Sequence, residues 1–222
     1  MRVFSTGGTR VLVLLVSFAV AAFAAEIVSL TDAQIAKLAQ QFGPIAKTRL
    51  TAWREILTAP KYKKLPEEEK LRVVNDFMNE TRFVSDREHW GKEDYWATPI
   101  EFLSTNGGDC EDYSIAKYFT LRALGVPDDK LRITYVKELV IYNEAHMVLA
   151  YFPTPDAEPL VLDNINKTIQ PASNRNDLLP VYSFNGSGLW LAKEQTGRGQ
   201  SVGGSDRIGH WRDLQARLRA VM

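Results

Sequence analysis

A single cysteine, Cys110, stands among 222 residues, which excludes an internal disulfide and any Cys-x-x-Cys zinc or redox motif. Charge of one sign is equally scarce, with 27 Lys and Arg against 27 Asp and Glu. Without a basic excess there is no electrostatic footprint for a phosphate backbone, so nucleic-acid binding is not expected. Long apolar runs are also lacking, apart from Val11 to Ala24, which only Ser17 interrupts. Arg2 and Arg10 precede that run and Ala22-Phe23-Ala24 closes it, the pattern of a secretory signal peptide over residues 1–24 cleaved before Ala25. A membrane anchor is the weaker reading, because 15 residues to Ala25 fall short of the ~20 that span a bilayer. No second run follows, so no stable membrane insertion is expected. Removal of the leader leaves 25 basic residues against 27 acidic ones. With 45% hydrophobic and 24% charged residues, no internal repeat and no linker, residues 25–222 read as one domain with an apolar core.

Thr31 with Gln34 forms a capping box ahead of Ile35, Leu38 and Phe42, and Gly43-Pro44 punctuates that helix before a second apolar series through Leu50, Trp53 and Ile56. Pro66 followed by three glutamates opens another helix, with Leu71, Val74 and Phe77 as its buried stripe. Arg87 to Asn106 reads as an aromatic, turn-rich stretch leading into Gly107-Gly108-Asp109-Cys110. Helical spacing of Ile115, Tyr118, Leu121 and Leu124 then predicts a helix over 109–124 with Cys110 in its first turn. From Leu131 the pattern changes to strands: Leu131 to Lys137, His146 to Phe152 and Leu160 to Asp163, with further candidates at Leu178 to Phe184 and Leu189 to Ala192. Thr196 to Ser205, rich in glycine and serine, reads as a mobile loop, and Ile208 to Met222 as a basic amphipathic helix. The fold class is therefore α+β, a cysteine-bearing helix packed on an antiparallel sheet behind additional N-terminal helices.

A lone thiol in an exported protein is either an inert buried hydrophobe or a reactive group, and its neighbours Gly-Gly-Asp and Glu-Asp argue against burial in the core. Cys110 at a helix start, His146 opening the second strand and Asp163 ending the third satisfy the needs of nucleophilic catalysis: nucleophile, base and orienter. His89 lies in the aromatic stretch and His210 in the terminal segment, while Asp163 before Asn164 also fits an ordinary turn. Asp109, Glu111 and Asp112 crowd the thiol with negative charge, which raises its pKa and offsets the helix dipole. A bound hard cation, calcium rather than zinc, would compensate; alternatively the acids merely complement the dipole.

Three stretches, Asp94-Tyr95-Trp96-Ala97-Thr98-Pro99-Ile100-Glu101-Phe102-Leu103, Gly107-Gly108-Asp109-Cys110-Glu111-Asp112-Tyr113 and Glu144-Ala145-His146-Met147-Val148-Leu149, together with Leu162-Asp163-Asn164, resemble the bacterial transglutaminase-like cysteine proteinases of the periplasmic LapG type. The resemblance runs from Asn75 to Trp190. It implies a papain-like, transglutaminase-type core with Cys110 as nucleophile, His146 as base and acid and Asp163 as orienter. It also implies calcium bound by Asp109 and Glu111, to which the adjacent Asp112 is added as a candidate, and it suggests Trp96 as an oxyanion donor or a packing residue. The implied substrate is the N-terminal region of a large repeat-rich surface adhesin, cut at a dialanine-type site. The implied partner is the periplasmic domain of an inner-membrane cyclic di-GMP receptor that sequesters the protease and so retains biofilm. Acyl transfer to an amine by the same triad, or a non-catalytic exported binding module, are the competing readings.

Overall fold

The computed structural model describes residues 30–141, 143–192 and 199–220, so the leader expected over 1–24 lies outside the described residues. Helix α1 (Asp32–Phe42) opens on the expected capping box, the Gln34 side chain accepting the Thr31 N–H at 2.8 Å and Thr31 Oγ1 accepting the Gln34 N–H. Gly43, at φ 93°, turns the chain out of α1, and Pro44 starts α2 (Pro44–Thr58). A short α3 (Pro60–Lys63) leads to α4 (Glu67–Met78), whose three first-turn glutamates complement its dipole.

The stretch expected to be turn-rich holds more helix than its aromatics suggested. It contains α5 (Asp86–His89) and α6 (Pro99–Thr105), the latter capped by Thr98 and Glu101 with Pro99 in its first turn. That capping box and proline are a sequence signal that the density of Trp and Tyr masks. Strand β1 (Arg82–Phe83) pairs in parallel with β2 (Gly107–Gly108), which delivers the chain to α7 (Cys110–Ala123). A Cβ on Gly108 would lie 2.4 Å from Asp112 Oδ2 and 2.7 Å from the Phe102 ring, so only glycine fits there.

Every residue of α7 from Glu111 to Leu121 is buried, because helices cover one side and the sheet the other. Trp53 of α2 is fully buried and donates its indole N–H to Thr120 Oγ1 at 2.9 Å, fastening the N-terminal helices to α7. The sheet runs β6 (Gln170–Pro171), β5 (Leu160–Leu162), β4 (Ala145–Tyr151), β3 (Leu131–Glu138), β7 (Leu178–Phe184), β8 (Leu189–Leu191) and β9 (Gln200–Gly203), and every pairing in it is antiparallel. Strand β9 corrects the expected Thr196–Ser205 loop: within the described part, Gln200 to Gly203 pair with Leu191 to Leu189, because backbone ladder bonds need no apolar side chains. Finally α8 (Gly209–Ala220) buries Trp211 and Leu214 completely against the helical face, and a fully buried leucine contributes ~1.5–3 kcal/mol. One core cluster thus runs from Leu30 to Leu218, and a smaller one, Val136, Val148, Val161, Ala172 and Leu178, lies on the opposite face of the sheet. Among the described residues no helix is long and apolar enough to cross a membrane.

Candidate active site

A gap in the strand pairing lies against Cys110. Strands β4 and β5 pair only from Leu149–Leu162 to Tyr151–Leu160, so among the described residues the β5-facing edge of β4 is open ahead of Leu149. The first turn of α7 meets that open edge, where the Met147 N–H faces the Cys110 sulfur. His146, directly before Met147, points its Nε2 to Asp163 Oδ1 at 2.8 Å. His146 is 4% exposed and Asp163 1%, so this pair is shielded from water. The other histidines sit elsewhere: His210 meets Asp94 at the surface at 3.3 Å, and His89 packs edge-on against Trp90.

Asp163 is held by donors from across the fold. Oδ1 also accepts the Ile165 N–H at 3.0 Å, and Oδ2 accepts Arg175 Nη2 at 2.6 Å. Its backbone carbonyl accepts from Asn79 Nδ2 at 2.9 Å and from Lys117 Nζ at 3.0 Å. Burial alone would raise its pKa, but the His146 bond and charge, the Ile165 N–H and Arg175 outweigh burial and hold the carboxyl well below the ordinary carboxylate range. Lys117, fully buried on α7, is pulled down to about 7 by desolvation.

The acids next to Cys110 behave in the opposite way. Asp86, Asp109 and Glu111 each offer an oxygen within 4.8 Å of the others. The parallel β1–β2 pairing and the 3.0 Å bond from the Val84 N–H to the Gly108 carbonyl carry Asp86 to this point, where its own N–H donates to Asp109 Oδ2 at 3.2 Å. Desolvation and neighbouring carboxylates push Asp86 up to about 6, raise Asp109, and push Glu111 well above its usual range. Among the described residues Asp86 Oδ1 and Asp109 Oδ1 are buried without a hydrogen-bond partner. Three crowded carboxylates with two orphaned oxygens could hold a hard, oxygen-seeking cation. Cys110 Sγ donates to Glu111 Oε2 at 3.1 Å, and burial, the Glu111 and Asp109 charges and that bond push its thiol well above the ordinary thiol range.

Of the residues singled out in the sequence, the structure thus joins His146 to Asp163 and gathers Asp109 and Glu111 at Cys110, while the sulfur itself bonds to Glu111. Asp112 adjoins the acid cluster but is not one of its three converging carboxylates. Fully buried, it accepts the Ala97 N–H at 2.7 Å through Oδ1 and the Asp109 N–H at 3.3 Å through Oδ2, which is a helix-capping arrangement. Trp96 is buried with its ring stacked between Phe184 and His210, both at 5.6 Å. Sequence reasoning missed Asp86, 23 residues before Asp109, because only the β1–β2 pairing brings the two together, and it missed Arg175, which lies in a short turn without periodicity.

Residues 56–192 match the family described as bacterial transglutaminase-like cysteine proteinase. The structure is similar to that of LapG from Legionella pneumophila, at 46% identity over 83% of this chain and 96% of that one, with a TM-score of 0.71. The EGTA-treated form of that protein gives the same coverage and a TM-score of 0.71, and its calcium-bound form 0.70 with 97% of that chain covered. The comparison with curated proteins gives no match.

Proposed function

The chain belongs to the bacterial transglutaminase-like cysteine proteinases, and from that premise we propose that it is a calcium-dependent endopeptidase acting through Cys110, His146 and Asp163. The observation that carries the reading is the buried His146–Asp163 pair on the strand edge that faces a thiol beside three converging carboxylates. Ionised Asp163 accepts from His146 Nε2–H and thereby leaves Nδ1 as the nitrogen that takes the thiol proton. The Cys110 thiolate then attacks the peptide carbonyl carbon, and the carbonyl oxygen takes up the electron pair. The Cys110 N–H in the first turn of α7 and the Trp96 indole are the proposed donors to that oxyanion. His146 returns its proton to the departing amine, leaving a thioester, and next removes a proton from the water that hydrolyses it.

Asp109 and Glu111, with Asp86 as a third ligand, would hold calcium, and the orphaned oxygens of Asp86 and Asp109 support that assignment. Bound there, the ion supplies positive charge that lowers the barrier to thiol ionisation. Asp112, the further candidate in the first turn of α7, would instead shape that turn, a role its bonds from the Ala97 and Asp109 N–H groups support. The Legionella relative has been obtained both calcium-bound and EGTA-treated, which supports calcium as the ion.

The proposed setting is the periplasm, reached through cleavage of the leader before Ala25. The proposed substrate is the N-terminal region of a large repeat-rich adhesin with a dialanine-type site, and the proposed regulator is the periplasmic domain of a cyclic di-GMP receptor. The test is incubation of the purified enzyme with an N-terminal adhesin fragment, with calcium or with EGTA. Two shorter peptides formed only with calcium support the reading. A cross-linked product, or an intact fragment under both conditions, overturns it.

A further inference from the structure

We propose that Arg175 is a positioning residue for this reaction: it fixes the Asp163 carboxylate so that the His146 ring stays aimed with Nε2 protonated. The inference rests on the Cys110–His146–Asp163 reading above and extends it to a residue outside the triad. The backbone of Asp163 is already pinned at its carbonyl by Asn79 and by Lys117, the latter from the same helix that carries Cys110. Those bonds do not fix rotation about Cβ–Cγ. On the side chain, His146 and the Ile165 N–H both use Oδ1, and Oδ2 is left to Arg175 Nη2 at 2.6 Å. Arg175 is itself 2% exposed and anchored, with Nε and Nη2 bonding Asp177 at 2.9 and 2.7 Å. Its planar fork therefore spans two carboxylates in one fixed orientation, which the single Nζ of a lysine reproduces only in part.

Two simpler roles make different predictions. A buried ion pair that only supports the fold would affect stability and leave thiol reactivity alone. A purely electrostatic role would have the Arg175 charge oppose protonation of His146, so its loss would favour the imidazolium and speed reaction of the thiol. Positioning predicts that removing Arg175 slows the thiol.

The test uses the calcium-loaded full chain and iodoacetamide as the probe of Cys110 at neutral pH, in Arg175→Met, Arg175→Lys, Asp163→Asn and the double variant Asp163→Asn/Arg175→Met. Arg175→Met is expected to lower the alkylation rate about tenfold or more and to abolish the low-field imidazole N–H resonance of His146, with Arg175→Lys recovering part of both. The double variant is expected to react no slower than Asp163→Asn, within about twofold, because both changes act through one carboxylate. A folded Arg175→Met at the wild-type rate or faster, or a double variant slowed by the product of the single effects, overturns the proposal. Should Arg175→Met fail to fold, Asp177→Asn removes the anchor and keeps the arginine: a rate lowered about threefold is expected, and an unchanged rate overturns the proposal. Wild-type reactivity in Asp163→Asn would instead sink the triad itself and the proposal with it. A slow Asp163→Asn beside a fast Arg175→Met fails the proposal alone.

Discussion

Asp163 and Asp109 are carboxylates of one site, the first bonded to His146 and the second preceding Cys110, yet the fold treats them in opposite ways. Asp163 is paired at both oxygens and at its carbonyl, and those donors hold it ionised against the cost of burial. Asp109 faces Glu111 and Asp86 with one oxygen unpaired, and burial with like charge pushes all three toward protonation. The chain completes the first arrangement from its own donors, whereas among the described residues no ion pair reaches Asp86, Asp109 or Glu111. On the proposed reading the difference separates two tasks: Asp163 would orient the base, and calcium held by the acid cluster would offset the negative charge around Cys110.

The largest expected effects fall on the completed half. Cys110→Ala should lower cleavage of the adhesin fragment about 10⁴-fold or more with its melting temperature unchanged, and His146→Ala nearly as much. Asp163→Asn should cost less, about 10²–10⁴-fold, because nucleophile and base remain while the tautomer is disturbed. Wild-type turnover in Cys110→Ala would remove the thiol around which both halves are arranged.

At the acid cluster, Asp109→Ala and Glu111→Ala should each lower cleavage about 100-fold and mimic EGTA, whose effect calcium should reverse better than magnesium. Asp86→Ala should act in the same direction by raising the calcium concentration needed for half-maximal activity. If Asp86→Ala leaves that concentration unchanged while Asp109→Ala raises it, the cluster loses its third ligand.

Stability against pH probes the same contrast with no substrate. A carboxyl whose pKa is raised on folding contributes stability below its unfolded pKa and loses it as the pH climbs through the folded value. Asp86, at about 6, and its neighbours should therefore make the calcium-free protein melt about 3 °C or more lower at pH 7 than at pH 5, and saturating calcium should erase that drop. Asp163, depressed by its donors, works in the other direction and only in strongly acidic solution. Lys117, lowered to about 7, adds stability as the pH rises only above that window. Equal melting of the calcium-free protein at both pH values would show that the acids are not crowded as described.

Asp112 should give the smallest effect. Asp112→Asn is expected to cost about 1 kcal/mol of stability through the weakened cap, with the calcium requirement unchanged. A raised calcium requirement would return Asp112 to the ligand set.

How far the site was legible follows from the range of each interaction. Cys110, Asp109 and Glu111 adjoin in sequence, and His146 stands at the start of a continuous apolar strand, a local pattern, so these positions can be read without a fold. The Asp163 position also follows, because a short meander brings the end of its third strand beside the second. Asp86 and Arg175 depend on contacts that no periodicity encodes, a two-residue parallel pairing in one case and a turn after a short strand in the other. Helix α6 was hidden in plain terms, since Thr98, Pro99 and Glu101 spell a helix start within an aromatic stretch. Strand β9 carries glycine and serine, so its pairing shows only in the backbone ladder.

The central claim is that calcium bound at the acid cluster favours ionisation of the Cys110 thiol. Its most direct test is the rate of Cys110 alkylation by iodoacetamide at neutral pH, measured on one preparation stripped with EGTA and then reloaded with calcium. The account predicts a rate about tenfold or more higher with calcium, lost again in Glu111→Ala. Equal rates in the stripped and reloaded protein would contradict it.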